Sequence, residues 1–224
     1  MTERHASNEQ RRVAQSHPEP IYTLRPGTVT DLRSRRMPRQ TIQMRKLKYH
    51  VNTSADGFIL SDVKGLGDIA GGEEPSQYLR SLHAYGVALM GWRTYEAMRA
   101  LGFDDPYPHL MSYVFSRTCP VKAAPQVEVV STEACEWIGR MKACPGKDLY
   151  LCGGASLATS LFQANLIDEV VLKVNPILVG SGRRLLSEIE GRIKLSHNTS
   201  FVHQDGAVIL TYQVQTDERR VVAA

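Results

Sequence analysis

Two glycine junctions carry the residues best suited to chemistry. The apolar run Val87–Met90 ends at Gly91, followed by Trp92, Arg93 and Thr94. The run Asp148–Cys152 ends at Gly153-Gly154, followed by Ala155, Ser156 and Leu157. At each junction a strand-like run passes into a helix-like one. Such a passage presents free backbone N–H groups and the positive end of a helix dipole, which together make an anion site. Glycine has no Cβ to keep a ligand off the backbone. Two such sites side by side suit a pyrophosphate. Tight turning alone also accounts for glycine at these places, and both readings stand on the residues alone.

Cations and hydroxyls accompany the junctions. Arg93 and Thr94 fall in the first turn after Gly91, and Ser116, Arg117 and Thr118 end another strand-like run. Arginine grips phosphate through its planar fork, so Arg117, or Arg93, suits the 2′-phosphate that distinguishes NADP from NAD. A solvated surface arginine is the plain alternative. Asn52, Ser54 and Asp56 alternate along the first strand-like run and its turn, beside Gly57, so all three can face one cleft. Asp56 also suits a mere turn former.

Other chemistries find no support. Gly153-Gly154 lacks the third glycine of G-x-G-x-x-G, and no G-x-x-x-x-G-K-[ST] occurs. Gly180-Ser181-Gly182-Arg183 is glycine-rich but precedes only a few helical residues. The histidines have no metal-ligand spacing, so no metal is expected. The four cysteines form no C-x-x-C and read as reduced thiols. The zinc deaminase signature is missing.

The elements that must position these residues follow from the apolar patterning. Strands are expected at Lys46–Asn52, Val87–Met90, Leu110–Phe115, Val127–Val130, Asp148–Cys152 and Glu169–Val174. Helices are expected near 75–84, with Leu79, Leu82 and His83 as a buried stripe, and at Arg93–Ala100. Another should follow a Ser131 or Thr132 cap and bury Ala134, Trp137, Ile138 and Met141. A last one runs from Ala155 to Ala164, with Asn165 as a left-handed cap. Leu195–Phe201 and Val208–Val214 read as an antiparallel hairpin around Asp205-Gly206. The sum is an α/β fold: a mixed, mostly parallel sheet with flanking helices and a C-terminal antiparallel hairpin.

The chain has 224 residues, of which 42% are hydrophobic and 22% charged, enough for one domain with a full core. No apolar run approaches the roughly 18 residues of a membrane helix. Residues 1–44 hold eight Arg and four acidic residues, while 45–224 hold 19 basic and 19 acidic ones. The whole net charge of +4 therefore lies in the first fifth. A neutral body argues against a nucleic-acid-binding domain. Residues 1–44, rich in Pro and Arg, read as a disordered basic extension; 45–216 read as the folded domain and 217–224 as a tail. Met44 is a candidate true start. With no apolar signal segment, a cytoplasmic location is expected.

Four segments in order carry a resemblance: Val51–Ile59, Leu89–Glu96, Leu151–Leu157 and Pro176–Gly182. Together they resemble the dihydrofolate-reductase-like superfamily. Within it they are similar to the C-terminal reductase domain of the bifunctional riboflavin-biosynthesis deaminase/reductase and its stand-alone relatives, over about residues 45–214. The resemblance implies NADPH-dependent hydride transfer to a small heterocyclic or ribosylamino-pyrimidine-like substrate. By motif match, Gly91, Trp92, Arg93 and Thr94 would hold cofactor phosphates, and Ser116 and Arg117 would lie by the adenosine ribose phosphate. Gly153, Gly154, Ala155, Ser156 and Leu157 would wrap the pyrophosphate. Asn52, Ser54 and Gly57 would border the substrate, with Asp56 as the catalytic residue. A cis Gly153-Gly154 bond and a homodimer are further implications.

The match includes no deaminase half. Asp104–Leu110 keeps part of an Asp-x-Pro-x-Leu-type loop. The next arginine, Arg117, lies too far along to hold a substrate phosphate and fits the cofactor instead. No acidic residue stands mid-helix in 75–84 to face a pterin, which counts against folate. Two rivals to a reductase are a non-catalytic NADP-binding dimeric module and a basic-tailed interaction protein.

Overall fold

A computed structural model describes residues 44–60, 81–118 and 123–215. The extension expected over 1–44, all but its last residue, lies outside them. So do the tail over 217–224 and most of the helix expected near 75–84. The described elements are β1 (Leu47–Ser54), β2 (Tyr85–Gly91), α1 (Trp92–Ala100), β3 (Met111–Phe115), β4 (Val127–Val130) and α2 (Ala134–Ala143). After them come β5 (Asp148–Gly153), α3 (Ala155–Gln163), β6 (Glu169–Asn175), β7 (Lys194–Val202) and β8 (Val208–Gln215).

The eight strands form one sheet in the order β4-β3-β2-β5-β1-β6-β8-β7. The first six are mutually parallel; β8 runs antiparallel to β6, and β7 to β8. The expected mixed, mostly parallel sheet with a closing hairpin is the observed one. Parallel strands need helices on both faces to cover them, and the core is accordingly double. Leu47, Tyr49, Val51, Val87, Leu89, Leu149 and Leu151 face α2 and α3, meeting Ile138, Ala158, Leu161 and Phe162. Ala88, Met90, Val114 and Tyr150 point the other way, with Tyr95 of α1 and Tyr107. Alternation along each strand divides these two sets. Among the described residues no helix is long and apolar enough to cross a membrane.

Several expectations change in detail. β1 runs two residues past Asn52, because β6 pairs with it as far as Ser54↔Asn175. Gly91 closes β2 by pairing with Phe115, and α1 begins at Trp92. Neither Ser131 nor Thr132 caps α2: its N-cap is Glu133, without a side-chain cap bond. An acidic residue there still complements the dipole. Leu82 is buried, but His83 is exposed, since the helical turn has already ended there. Its ring lies 4.8 Å from that of His109. Asn165 takes φ 53°, the left-handed cap expected of it.

Candidate functional site

The two glycine junctions meet. β2 and β5 are neighbours, with Met90 in register with Gly153, so both strands end at one place. α1, which follows β2, packs on one face of the sheet; α3, which follows β5, packs on the other. Adjacent parallel strands whose helices leave to opposite sides open a crevice at their carboxyl ends, where ligands bind in open α/β sheets.

The crevice is shaped for an anion. The N-caps of α1 and α3 are Gly91 and Gly154, both extended, without side-chain cap bonds and with no acidic residue in the first turn. Helix geometry leaves the N–H groups of Trp92, Arg93 and Thr94, and of Ala155, Ser156 and Leu157, without intrahelical partners. A Cβ on Gly91 would lie 3.8 Å from the Gly154 amide nitrogen, and one on Gly154 would lie 3.0 Å from Thr94 Oγ1. The two glycines and Thr94 therefore touch, and the room between the helix ends exists because no side chain fills it. Gly153-Gly154 is a cis peptide, and Gly153 has φ 140°.

Of the cations, Arg117 is exposed just beyond β3, whose last residue pairs with Gly91. Ser116 is tied to the sheet through its N–H, which donates to Val130 O at 3.1 Å. Arg93 is exposed on the first turn of α1. Trp92 and Leu157 are half-buried, their side chains packed against the two cores.

At the end of β1 the expected substrate contacts Asn52, Ser54 and Gly57 and the expected catalytic Asp56 have different surroundings. Ser54 is buried, and its Oγ accepts from Phe58 N at 3.1 Å, which closes the turn through Gly57, φ 83°. Asp56 is exposed beyond the strand. Its carboxylate accepts from Gly180 N at 2.7 Å and Val179 N at 3.2 Å, clamping the Pro176–Gly182 loop. A hydrogen bond from Ser54, then those from the backbone, hold its pKa below the ordinary value of 3.8. Asp56 is thus an ionised anchor at neutral pH. Asn52 differs: its Oδ1 is buried and has no hydrogen-bond partner. It lies on the face of the sheet that α1 covers, two residues beyond His50, whose ring packs 6.0 Å from that of Tyr150.

A family model described as the RibD C-terminal domain matches residues 45–209. The chain belongs to that family. Among relatives of this RibD C-terminal domain is the uncharacterized protein YyaP of Bacillus subtilis (strain 168). It is 34% identical over 100 residues, 45% of this chain and 53% of that protein, so the match spans about half the relative's length. A crystallised protein of Shewanella sp. PV-4 assigned to riboflavin biosynthesis shares the fold, with TM-score 0.63 and 23% identity. The match covers 76% of this chain and 99% of that one. Dihydrofolate reductase from Enterococcus faecalis, complexed with NADP(H), matches with TM-score 0.56 and 15% identity over 76% of this chain and 97% of its own. The dihydrofolate-reductase-like fold and the RibD C-terminal resemblance both hold.

Sequence reasoning passed over two residues at the carboxyl end of β6, Lys173 and Asn175. Asn175 is buried, and its Nδ2 donates to Thr53 O at 3.0 Å and Lys173 O at 3.3 Å, pinning β6 to β1. Lys173 is only 7% exposed. One signal was readable in advance: a lone lysine inside the run Val170-Val171-Leu172-Lys173-Val174. A charge is seldom buried in such a run without a task or a partner.

Proposed function

We propose that the chain is an NADPH-dependent reductase acting on a small heterocyclic or ribosylamino-pyrimidine-like substrate. The family it belongs to is one of riboflavin-pathway-type reductases. The observation that carries the reading is the double cradle at Gly91 and Gly154, two helix N-termini meeting at the switch point of the sheet. Their N–H groups would bind the pyrophosphate, with Thr94 against the glycines. Arg117, or failing it Arg93, would bind the 2′-phosphate.

When bound, NADPH supplies the hydride. The chain's own residues bind, orient and exclude water. β1 neighbours β5, so the end of β1 stands one strand spacing from the Gly154 side of the cradle and two, about 10 Å, from the Gly91 side. That separation suits a ribose and a nicotinamide ring. Asn52 would then border the substrate. The turn through Ser54, Asp56 and Gly57, clamped to the Pro176–Gly182 loop, would wall the pocket. Asp56 holds this wall by its charge, and the proton for reduction comes from elsewhere.

The test is cofactor binding followed by nicotinamide fluorescence at fixed ionic strength, with turnover assayed separately on reducible pyrimidines. A hydrogen bond to a charged group contributes about 1.5–3 kcal/mol net, or roughly tenfold to over a hundredfold in affinity. Arg117→Ala should weaken NADPH by that factor and NADH little. Equal loss for both would move Arg117 to the pyrophosphate, and no loss would return it to solvent. Tight binding without turnover of any probe would favour the non-catalytic NADP-binding module.

A further inference from the structure

We propose that the chain carries a second ligand site, at the amino ends of β1, β2 and β5, and that this site takes a small phosphate monoester. It is separate from the cradle, which stands at the other end of the same strands, about 20 Å away along the six residues of β5.

β2, β5 and β1 are neighbours in the sheet. Arg45 stands two residues before β1, and Ala84 and Lys147 stand one residue before β2 and β5. With Met44, Gly146 and Asp148 they line a recess of about 290 Å³. Small-molecule sites begin at roughly 300 Å³, so the recess has room for more than a bare ion.

A buried cation forms part of its wall. Arg45 is only 7% exposed, yet among the described residues it has no ion pair. Its Nε donates to Lys147 O, and its Nη1 to Met141 Sδ at 3.1 Å, a weak acceptor. Its Nη2 has no acceptor among the described residues. A Cβ on Gly86 would lie 3.3 Å from that Nη2, and one on Gly146 would lie 3.2 Å from Cζ. The two glycines thus make the room in which the guanidinium lies. Burial works against its charge and lowers its pKa. A charge kept this far from water calls for an anion.

The carboxylate of the recess is already occupied. Asp148 accepts from Lys46 N at 2.9 Å through Oδ1 and meets Lys48 Nζ at 3.0 Å through Oδ2. Lys46, Lys48, Asp148 and Glu169 balance one another in charge. Lys147 adds an exposed ammonium that donates to His83 O at 3.1 Å and keeps two further donors. Arg45 and Lys147 are therefore two cations without a carboxylate of their own among the described residues. Two unmatched charges suit a dianion. A phosphate monoester is one above its second pKa of about 6, and the arginine fork fits its oxygens. A carboxylate would match only one of the two charges. Met44 and Ala84 offer the ester's body an apolar side.

Phenyl phosphate is the probe. Benzoate keeps the ring with a single charge, and inorganic phosphate keeps the charge without the ring. Each is titrated calorimetrically into the full chain at about pH 8, where the ester is a dianion, with and without saturating NADPH. Wild type should bind phenyl phosphate roughly tenfold or more tightly than benzoate, and several-fold more tightly than inorganic phosphate. NADPH should leave that affinity unchanged. Arg45→Met should weaken phenyl phosphate by roughly tenfold or more, and Arg45→Lys by less. Lys147→Gln alters an exposed side chain and should also weaken it several-fold, so the test does not hang on the folding of the Arg45 variants, which circular dichroism checks. Binding that NADPH abolishes would place the probe in the cradle and overturn the proposal. So would equal affinity for benzoate, equal affinity for inorganic phosphate, no binding at all, or an affinity untouched by Lys147→Gln and by folded Arg45→Met. Phenyl phosphate binding that depends on Arg45 and Lys147 while NADPH fails to bind would sustain this site and overturn the cofactor reading.

Discussion

Asp56 shows how one residue type can serve two ends. An aspartate next to glycine at a strand end reads as a turn former or as a catalytic acid, and its neighbours decide which. Here both carboxylate oxygens are taken by the N–H groups of Val179 and Gly180, and its pKa is lowered, first by Ser54. A group that stays ionised through neutral pH makes a poor proton donor and a good clamp. Asp56→Asn leaves one acceptor oxygen where two now serve, so the Pro176–Gly182 loop should open more often. Trypsin cutting at Arg183 and Arg184 should then rise by roughly threefold or more, since local opening sets the rate of such cleavage. Cutting no faster than in wild type would mean that the turn and loop do not depend on that carboxylate.

At the scale of elements, the decisive contact joins two helix starts. α1 and α3 belong to different faces of the sheet, yet Gly91, Gly154 and Thr94 bring their first turns together. Because Gly154 is extended at φ −89°, alanine fits its backbone conformation. The obstacle is Thr94 Oγ1, 3.0 Å from the new Cβ. Thr94 must shift by a few tenths of an ångström, and the site between the helices narrows. Gly154→Ala should therefore weaken NADPH by roughly tenfold while costing only about 1 kcal/mol of stability. Fluorescence titration beside a thermal melt separates the two effects. A large loss of Tm with unchanged affinity would show a packing role instead.

Over the whole molecule, an ionic network at the opposite end of the strands ties three of them together. Lys46 and Lys48 of the β1 segment meet Glu169 of β6 at 2.6 and 3.1 Å, and Lys48 also meets Asp148 of β5 at 3.0 Å. Burial of Glu169 opposes its charge, but hydrogen bonds from Lys46 and Lys48 outweigh it and lower its pKa from the ordinary 4.5. A carboxyl with a lower pKa folded than unfolded contributes fully above the ordinary value. That contribution disappears as pH falls through the depressed one. Glu169→Gln should lower Tm by a few degrees at pH 7, about 1–2 kcal/mol with Lys46 partly exposed. It should also flatten the fall of Tm between about pH 5 and pH 3. Melts across that range test it; parallel curves for the two proteins would remove Glu169 from the acid response.

Much of this was written in local sequence. The alternation of Leu47, Tyr49 and Val51, the apolar runs of β2 and β5, the glycines that end them and the left-handed Asn165 depend on neighbours a few residues away. Local rules of period, turn and cap therefore reached them. The order β2-β5-β1-β6 was beyond those rules, because a crossover can place a late strand between two early ones. That order puts Gly91 beside Gly154 and Lys173 beside Asn52, residues 63 and 121 positions apart in the chain. The same limit explains Asp56 and Glu133: whether a carboxylate clamps, caps or catalyses depends on which N–H groups the fold brings to it. Sequence determined the elements and the kinds of chemistry they could carry. Tertiary structure decided which residues share a site, because strand pairing and burial join groups that the chain keeps far apart.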